Sequence, residues 1–433
     1  MTAAARRGRE FAAGLPRGER WAIAGLLVLS AAIVLVYLVA RSPIHLAGDG
    51  PEYDREGVFF TQGKWWWTTL PFGVAHAGAW KAPAYPAWVG LWYDLLGASP
   101  VRVAIVQALL IAPLGVLLTW LLGRRLLGPA VGLGAAAIVA VLPLVWEYYG
   151  LLYPEALAVP AAVLLYLLFV ERPPTVKLAI AVGVVAGVGL LIRPSSVFVF
   201  AGILAAWVLA AGWRRGGAFT ALTGAVCVLT VLPWTIRNFV VTDGALIPIS
   251  VQDGAAYGTF NDESANDPVY PYAWRFALRN PPAVLQGPPV DDGELRSELQ
   301  QAAFDYISDH PLSVLEAFYW NGLSRFWDVR QPAHAIDEAE PEGRSKALAI
   351  VGMALYYLLL PAALVGLWRL RHRRTLVIPL LGMALAASIV FTAASATRYR
   401  APFEPLLAIL ALAAFVPGVA RAGAPRAPGV AAA

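Results

Sequence analysis

Ten apolar runs recur along the chain and constrain its fold more than any other feature. They cover residues 21–40, 101–122, 129–146, 155–170, 177–192, 196–212, 218–234, 347–368, 375–394 and 402–420. Hydrocarbon offers backbone N–H and C=O groups no water, so such runs read as helices that satisfy their own hydrogen bonds across a bilayer. Several are shorter than the roughly 20 residues of a full span, so their ends are set only to within several residues. Composition points the same way. The chain is 59% hydrophobic and 14% charged, whereas soluble domains are about half apolar and about a quarter charged. The expected class is an all-α polytopic membrane protein. The single cysteine, Cys227, lies inside an apolar run, which excludes an internal disulfide and a structural zinc site built on cysteines. The first run follows Arg6, Arg7, Arg9, Arg17 and Arg20. It exceeds the roughly 7–15 apolar residues of a cleaved signal and reads as an uncleaved anchor.

Two gaps between runs are long, 41–100 and 235–346. With the N-terminus placed inside, the inner loops hold Arg124-Arg125, Arg172 with Lys177, Arg214-Arg215 and the Arg369–Arg374 stretch, and Arg421 and Arg426 follow the last run. This is the positive-inside pattern. It accounts for the net charge of +5 through the membrane surface and not through nucleic acid. Both termini are expected in the cytoplasm, with both gaps on the outer side. The organisation expected is an N-terminal transmembrane module over 1–234 with a first outer loop at 41–100. A small extracytoplasmic segment over 235–346 and C-terminal helices over 347–433 complete it. The apolar piece Tyr85–Leu96 is too short to span easily and is expected along the interface.

Charges on the outer side are not demanded by that pattern, so function is sought there. Asp49 and Glu52 stand in Gly-Asp-Gly-Pro-Glu-Tyr just after the first run. A carboxylate there suits a general base for a hydroxyl acceptor, although the same residues make a good turn. Glu155 follows Pro154 at the start of the fourth run. It either balances the positive end of that helix or faces Asp49 across a site, and Glu147 is ambiguous in the same way. Lys81, Arg193, Arg237, Arg398 and Arg400 all sit at outer boundaries. Each alone fits a cation snorkelling to the interface, whereas together they suit an anionic lipid headgroup. Trp65-Trp66-Trp67 fits an interfacial aromatic belt or a sugar-stacking surface. The five histidines show no metal-ligand spacing. No glycine-rich phosphate loop supports a nucleotide donor.

The order of these motifs resembles the GT-C glycosyltransferases that use polyprenyl-phosphate sugars, in particular the bacterial relatives of protein O-mannosyltransferases and of the lipid A aminoarabinose transferase. The resemblance spans most of the chain. It rests on Asp49 with Tyr53 four residues on, Lys81 to Pro86, Glu155, Arg193-Pro194 and Pro233 to Asn238. Ile249-Ser250, Asp253-Gly254 and Arg398-Tyr399-Arg400-Ala401-Pro402 complete it. The chain departs from the family pattern at Gly50, Trp80 and Ala82, where a paired acid, an acid and a proline can stand. The resemblance implies a GT-C-type bundle of about ten transmembrane helices in a bacterial inner membrane. It implies sugar transfer, with inversion, from a polyprenyl-phosphate carrier to a hydroxyl of a lipid, glycan or protein. Asp49 and Glu155 would be catalytic, and Glu52, Tyr53, Lys81, Tyr85, Arg193, Arg237, Arg398 and Arg400 would bind substrate. No cofactor is required, although a divalent ion near Asp49 is compatible with oxygen ligands. The rival readings are a secondary transporter and a non-catalytic lipid-binding protein.

Overall fold

The computed structural model describes residues 14–275 and 278–417, without the side chains of 253 and 255. The side chain of Asp253, part of the expected motif, and the terminal arginines Arg6, Arg7, Arg9, Arg421 and Arg426 lie outside what is described. Helix dominates. In chain order the main elements are α1 (Arg17–Ala40), α2 (Gly50–Thr61), a two-residue hairpin of β1 (Trp67–Thr68) and β2 (His76–Ala77), and α3 (Ala84–Leu96). Then come α4 (Pro100–Leu127), α5 (Pro129–Val141), α6 (Pro143–Trp146), α7 (Glu155–Phe169), α8 (Val176–Ile192) and α9 (Val199–Val241). The chain continues through α10 (Asp292–Asp309), α11 (Lys346–Arg369), α12 (Arg374–Val390) and α13 (Glu404–Ala413).

Four helical stretches, α1, α4, Pro194–Val241 and α11, are long and apolar enough to cross a membrane, and a fifth counts if α5 and the bent piece Pro143–Gly150 are one span. α7, α8 and α12 are shorter apolar helices. The large apolar side chains left exposed on these helices, such as Val36, Leu229, Leu232 and Leu358, suit contact with lipid and not with water. The chain is an integral membrane protein.

Three expected runs differ in form. The run 129–146 breaks at Leu142, which is extended, and the chain bends by 68°. Pro143 explains the break, because a proline disfavours helical backbone in the residue before it. The runs 196–212 and 218–234 form one continuous stretch that doubles back. Gly212 takes φ 79°, where glycine has no steric penalty. A Cβ on Gly216 would lie only 2.4 Å from the Trp207 carbonyl oxygen, so the two halves run beside each other as a hairpin.

The long gaps meet at one end of the bundle. α2 and α3 pack together through Tyr53, Tyr85, Val89 and Tyr93, while Leu91 and Leu95 on α3 stay exposed. The segment after α9 builds a small second core from Ala79, Trp80, Ile247, Val251, Tyr257, Leu295 and Leu299. Asp292 at the start of α10 ties that core to the first gap. Its carboxylate accepts from the Ala79 N–H at 2.5 Å and faces His76 Nε2 at 3.3 Å.

Candidate functional site

α2 starts the site. Gly48 (φ 57°) turns the chain so closely against Tyr153 that a Cβ would stand 2.1 Å from its hydroxyl. The Asp49 N–H donates to that hydroxyl at 3.3 Å, and the hydroxyl donates to the Ala47 carbonyl at 3.2 Å. The Asp49 side chain caps no backbone group and faces cations instead. Its Oδ1 lies 3.7 Å from Lys81 Nζ and its Oδ2 3.0 Å from Arg398 Nη2. Glu52 is one turn along the same helix and pairs with Lys81 Nζ at 2.6 Å.

Lys81 is buried, with its ammonium 3.9 Å from the Tyr53 ring centroid. Tyr53 stands edge-on to Tyr85 with centroids 4.8 Å apart. Tyr85 is fully buried and its hydroxyl is engaged by a neutral partner. Its hydroxyl donates to Gln107 Oε1 at 2.9 Å, and Gln107 Nε2 donates to the Leu151 and Tyr149 carbonyls. Gln107 opens the π-helical turn Gln107–Ile111 within α4. Such single-turn widenings recur at functional sites.

The second half of the cluster comes from helix ends. Glu155 begins α7, is fully buried and pairs with Arg193, the residue that closes α8. The Arg193 guanidinium stacks 4.3 Å from the Tyr399 ring. Arg398 lies in the 3-10 turn Thr397–Phe403 and faces three carboxylates. They are Asp49 at 3.0 Å, Glu342 at 3.4 Å and Glu155 at 3.9 Å. Glu342 also pairs with Arg344 Nε at 2.8 Å. It was not anticipated, because it is one of several acids in a charged loop with no distinctive spacing. Only the packing of residues 341–343 over Ala47 and Gly48 selects it.

The cluster thus holds Lys81, Arg193 and Arg398 among Asp49, Glu52, Glu155 and Glu342. Asp49 and Glu52 form its open edge, with 37% and 26% of their side-chain surface exposed. Burial pushes the Asp49 carboxyl up, but the charges of Lys81, Arg398 and Arg193 outweigh it and hold the group well below the usual carboxylate range. The carboxylate form of Asp49 is therefore favoured, and while these cations face it the group is a weaker proton acceptor than a free carboxylate. Burial lowers the Lys81 ammonium, yet Asp49, Tyr53, Glu52 and Glu56 reverse this and keep it firmly charged. Glu56, one turn beyond Glu52 and 4% exposed, is pushed up to about 7 by burial, although Lys81 opposes this.

Two expected substrate-binding cations lie elsewhere. Arg237 donates to the Gly78 carbonyl at 2.5 Å and the Trp66 carbonyl at 3.1 Å, and it stacks 4.8 Å from Trp234. It clasps the loop that leads to Lys81 and does not reach the cluster. Arg400 is fully buried between Asp328 (2.5 Å) and Glu404 (2.8 Å), 3.7 Å from the Tyr356 ring. Its charge is consumed there, as the i,i+4 spacing to Glu404 allows. Glu147 accepts from the Ser345 N–H at 3.1 Å and anchors the start of α11. For a divalent ion, the oxygens of Asp49 already face two cations. Among the described residues no three His, Cys, Asp or Glu side chains are grouped to hold a metal, so the residues present do not fit such an ion as they stand.

The family model of dolichyl-phosphate-mannose-protein mannosyltransferases matches residues 80–236. That stretch contains Lys81, Glu155 and Arg193, but neither Asp49 nor Arg398. No curated protein matches the chain. The chain is similar in structure to the Archaeoglobus fulgidus oligosaccharyltransferase in complex with Zn and sulfate, with TM-score 0.51 and 16% identity over 89% of this chain and 48% of that one. It is similar to the oligosaccharyltransferase AglB of Archaeoglobus fulgidus in complex with an inhibitory peptide and a dolichol-phosphate, with TM-score 0.50 and 16% identity over 92% and 50%. ArnT from Cupriavidus metallidurans bound to undecaprenyl phosphate also matches, with TM-score 0.41 and 14% identity over 88% and 78%. The chain spans about half the length of the oligosaccharyltransferases. Its fold is the GT-C fold.

Proposed function

We propose that this chain transfers a sugar from a polyprenyl-phosphate carrier to an acceptor hydroxyl, with inversion at the anomeric carbon. The observation that carries the reading is the open-edged ion cluster in which its most exposed carboxylate, Asp49, stands between Lys81 and Arg398. The GT-C fold and the family match over 80–236 support it. The reaction needs an anion site beside a base, and the cluster supplies both. Lys81, Arg398 and Arg193 receive the phosphate, which competes with Glu52, Glu342 and Asp49 for them. The acceptor oxygen attacks the anomeric carbon through an oxocarbenium-like transition state. The carbon–oxygen bond to phosphate breaks, its electron pair stays on the phosphate, and the acceptor proton passes to Asp49. Charge developing on the leaving phosphate is stabilised by the fixed cations. Glu155 holds Arg193 and lies within reach of Arg398, which suits an orienting role and not proton transfer.

Phosphate binding also changes Asp49. A new anion on Lys81 and Arg398 offsets the two largest of the three charges that depress its basicity, so the base strengthens as the donor arrives. The site belongs at the extracytoplasmic face of a bacterial inner membrane, with 41–100 and 235–346 outside, both termini inside, and modules dividing near 234 and 346. The acceptor is a lipid, glycan or protein. Purified protein incubated with defined polyprenyl-phosphate sugars tests the reading. Released polyprenyl phosphate together with a glycosylated acceptor supports it, and inertness towards all such donors removes it.

A further inference from the structure

Arg398 is placed by a residue far from it in sequence. In a 3-10 turn residues three apart share a face, so Thr397 and Arg400 project together and Arg398 projects elsewhere. Asp328 holds that shared face. Its carboxylate accepts from Thr397 Oγ1 at 3.1 and 3.3 Å and from Arg400 Nη1 at 2.5 Å. Arg400 also donates to the Phe326 carbonyl at 3.2 Å, so two bonds tie it to the segment that carries Asp328. Asp328 is itself fixed. It is fully buried, takes φ 46°, donates its N–H to the Arg325 carbonyl at 3.1 Å and receives the Tyr357 hydroxyl on its carbonyl. One buried carboxylate therefore grips Thr397 and Arg400, on either side of the pair Arg398-Tyr399.

We propose that Asp328 is a positioning residue that sets the Arg398 guanidinium against Asp49 and the donor phosphate. The inference rests on the transfer activity proposed above. Among the described residues neither Asp328 nor Thr397 pairs with Asp49, Glu155 or Glu342, so any effect on the site passes through the turn, and an effect carried by Tyr399, on which Arg193 stacks, would persist without Arg398.

The test is a double-mutant cycle on donor KM with a structural readout beside it. Thr397→Val keeps shape and removes one hydroxyl donor, so donor KM rises about 3–10-fold, the worth of one net hydrogen bond. Thr397→Ser restores the wild-type value, and Asp328→Asn has a larger effect than Thr397→Val. In an Arg398→Ala background neither substitution raises KM further, because the residue they act through is gone. Effects that persist in that background, or failure of Thr397→Ser to restore, overturn the proposal. Hydrogen exchange at amides 397–400 reads the clasp without any donor. It speeds up in Thr397→Val and Asp328→Asn, and unchanged exchange overturns the proposal. A wild-type protein that transfers no sugar refutes the activity alone, and the exchange data then decide whether Asp328 fixes the turn.

Discussion

Arg398→Ala removes the cation that faces the most carboxylates, and the structure shows what remains. Glu342 keeps Arg344 at 2.8 Å, Glu155 keeps Arg193, and Asp49 keeps Lys81 at 3.7 Å. No buried carboxylate of the cluster is stranded, so the variant is expected to fold and insert. The loss falls on the donor. A charge-assisted hydrogen bond to phosphate is worth about 1.5–3 kcal/mol, which corresponds to about a 10–150-fold weaker donor. Asp49 changes too. With one of its depressing charges gone its carboxyl moves back towards the ordinary range, so the chemical step suffers less than binding. The expected result is a donor KM raised by that factor with kcat reduced far less, and Arg398→Lys intermediate because it keeps the charge but loses the planar fork. The assay is steady-state transfer over a range of donor concentration in lipid nanodiscs, with equilibrium binding of polyprenyl phosphate alongside. Wild-type KM and binding in Arg398→Ala refute the reasoning and leave Arg398 as an interfacial cation.

Two further outcomes follow. Glu56 is pushed up to about 7 by burial, so the folded protein holds a proton there that the unfolded chain gives up above about 4.3. Stability then declines as pH rises between those values; thermal unfolding at pH 5 and pH 8 should show a larger drop for wild type than for Glu56→Gln, and equal drops contradict the assignment. Cysteines introduced at Gln62 and Asp305, in a Cys227→Ala background, should react with a membrane-impermeant reagent on intact cells, and protection of both reverses the membrane orientation.

Much of the cluster is legible in the sequence because charge at the end of an apolar run is costly in a bilayer and calls for a reason. Glu155, Arg193 and Arg398 stand out this way, Asp49 follows the first run closely and Lys81 precedes the short apolar piece Tyr85–Leu96, and the structure brings them together. The same signal misleads at Arg237 and Arg400. As sequence they match Arg193 and Arg398, and only their partners, the Gly78 and Trp66 carbonyls for one and Asp328 with Glu404 for the other, distinguish them. Glu342 and Asp328 were invisible because both act through contacts that close over long sequence separations, to Arg398 and to Thr397 and Arg400. Gln107 left a trace, a lone amide within the run 101–122, although its role under Tyr85 depends on the widened helical turn. In the fold, Pro143 and Gly212 carry the break and the hairpin within otherwise uniform apolar stretches, where hydropathy alone does not reveal which residues turn the chain.

Asp49→Asn tests the central claim most directly. The amide keeps the size of the side chain and loses both its charge and its basicity, while Lys81 keeps Glu52 at 2.6 Å and Arg398 keeps Glu342 at 3.4 Å. The two quantities to measure on the same purified preparation are sugar transfer and binding of polyprenyl phosphate. Turnover should fall by about 10²–10⁴-fold, the usual worth of a positioned base, while polyprenyl phosphate binds as well as to wild type or more tightly, since a competing anion has left the cations. Undiminished turnover in Asp49→Asn contradicts the assignment of Asp49 as the base that deprotonates the acceptor.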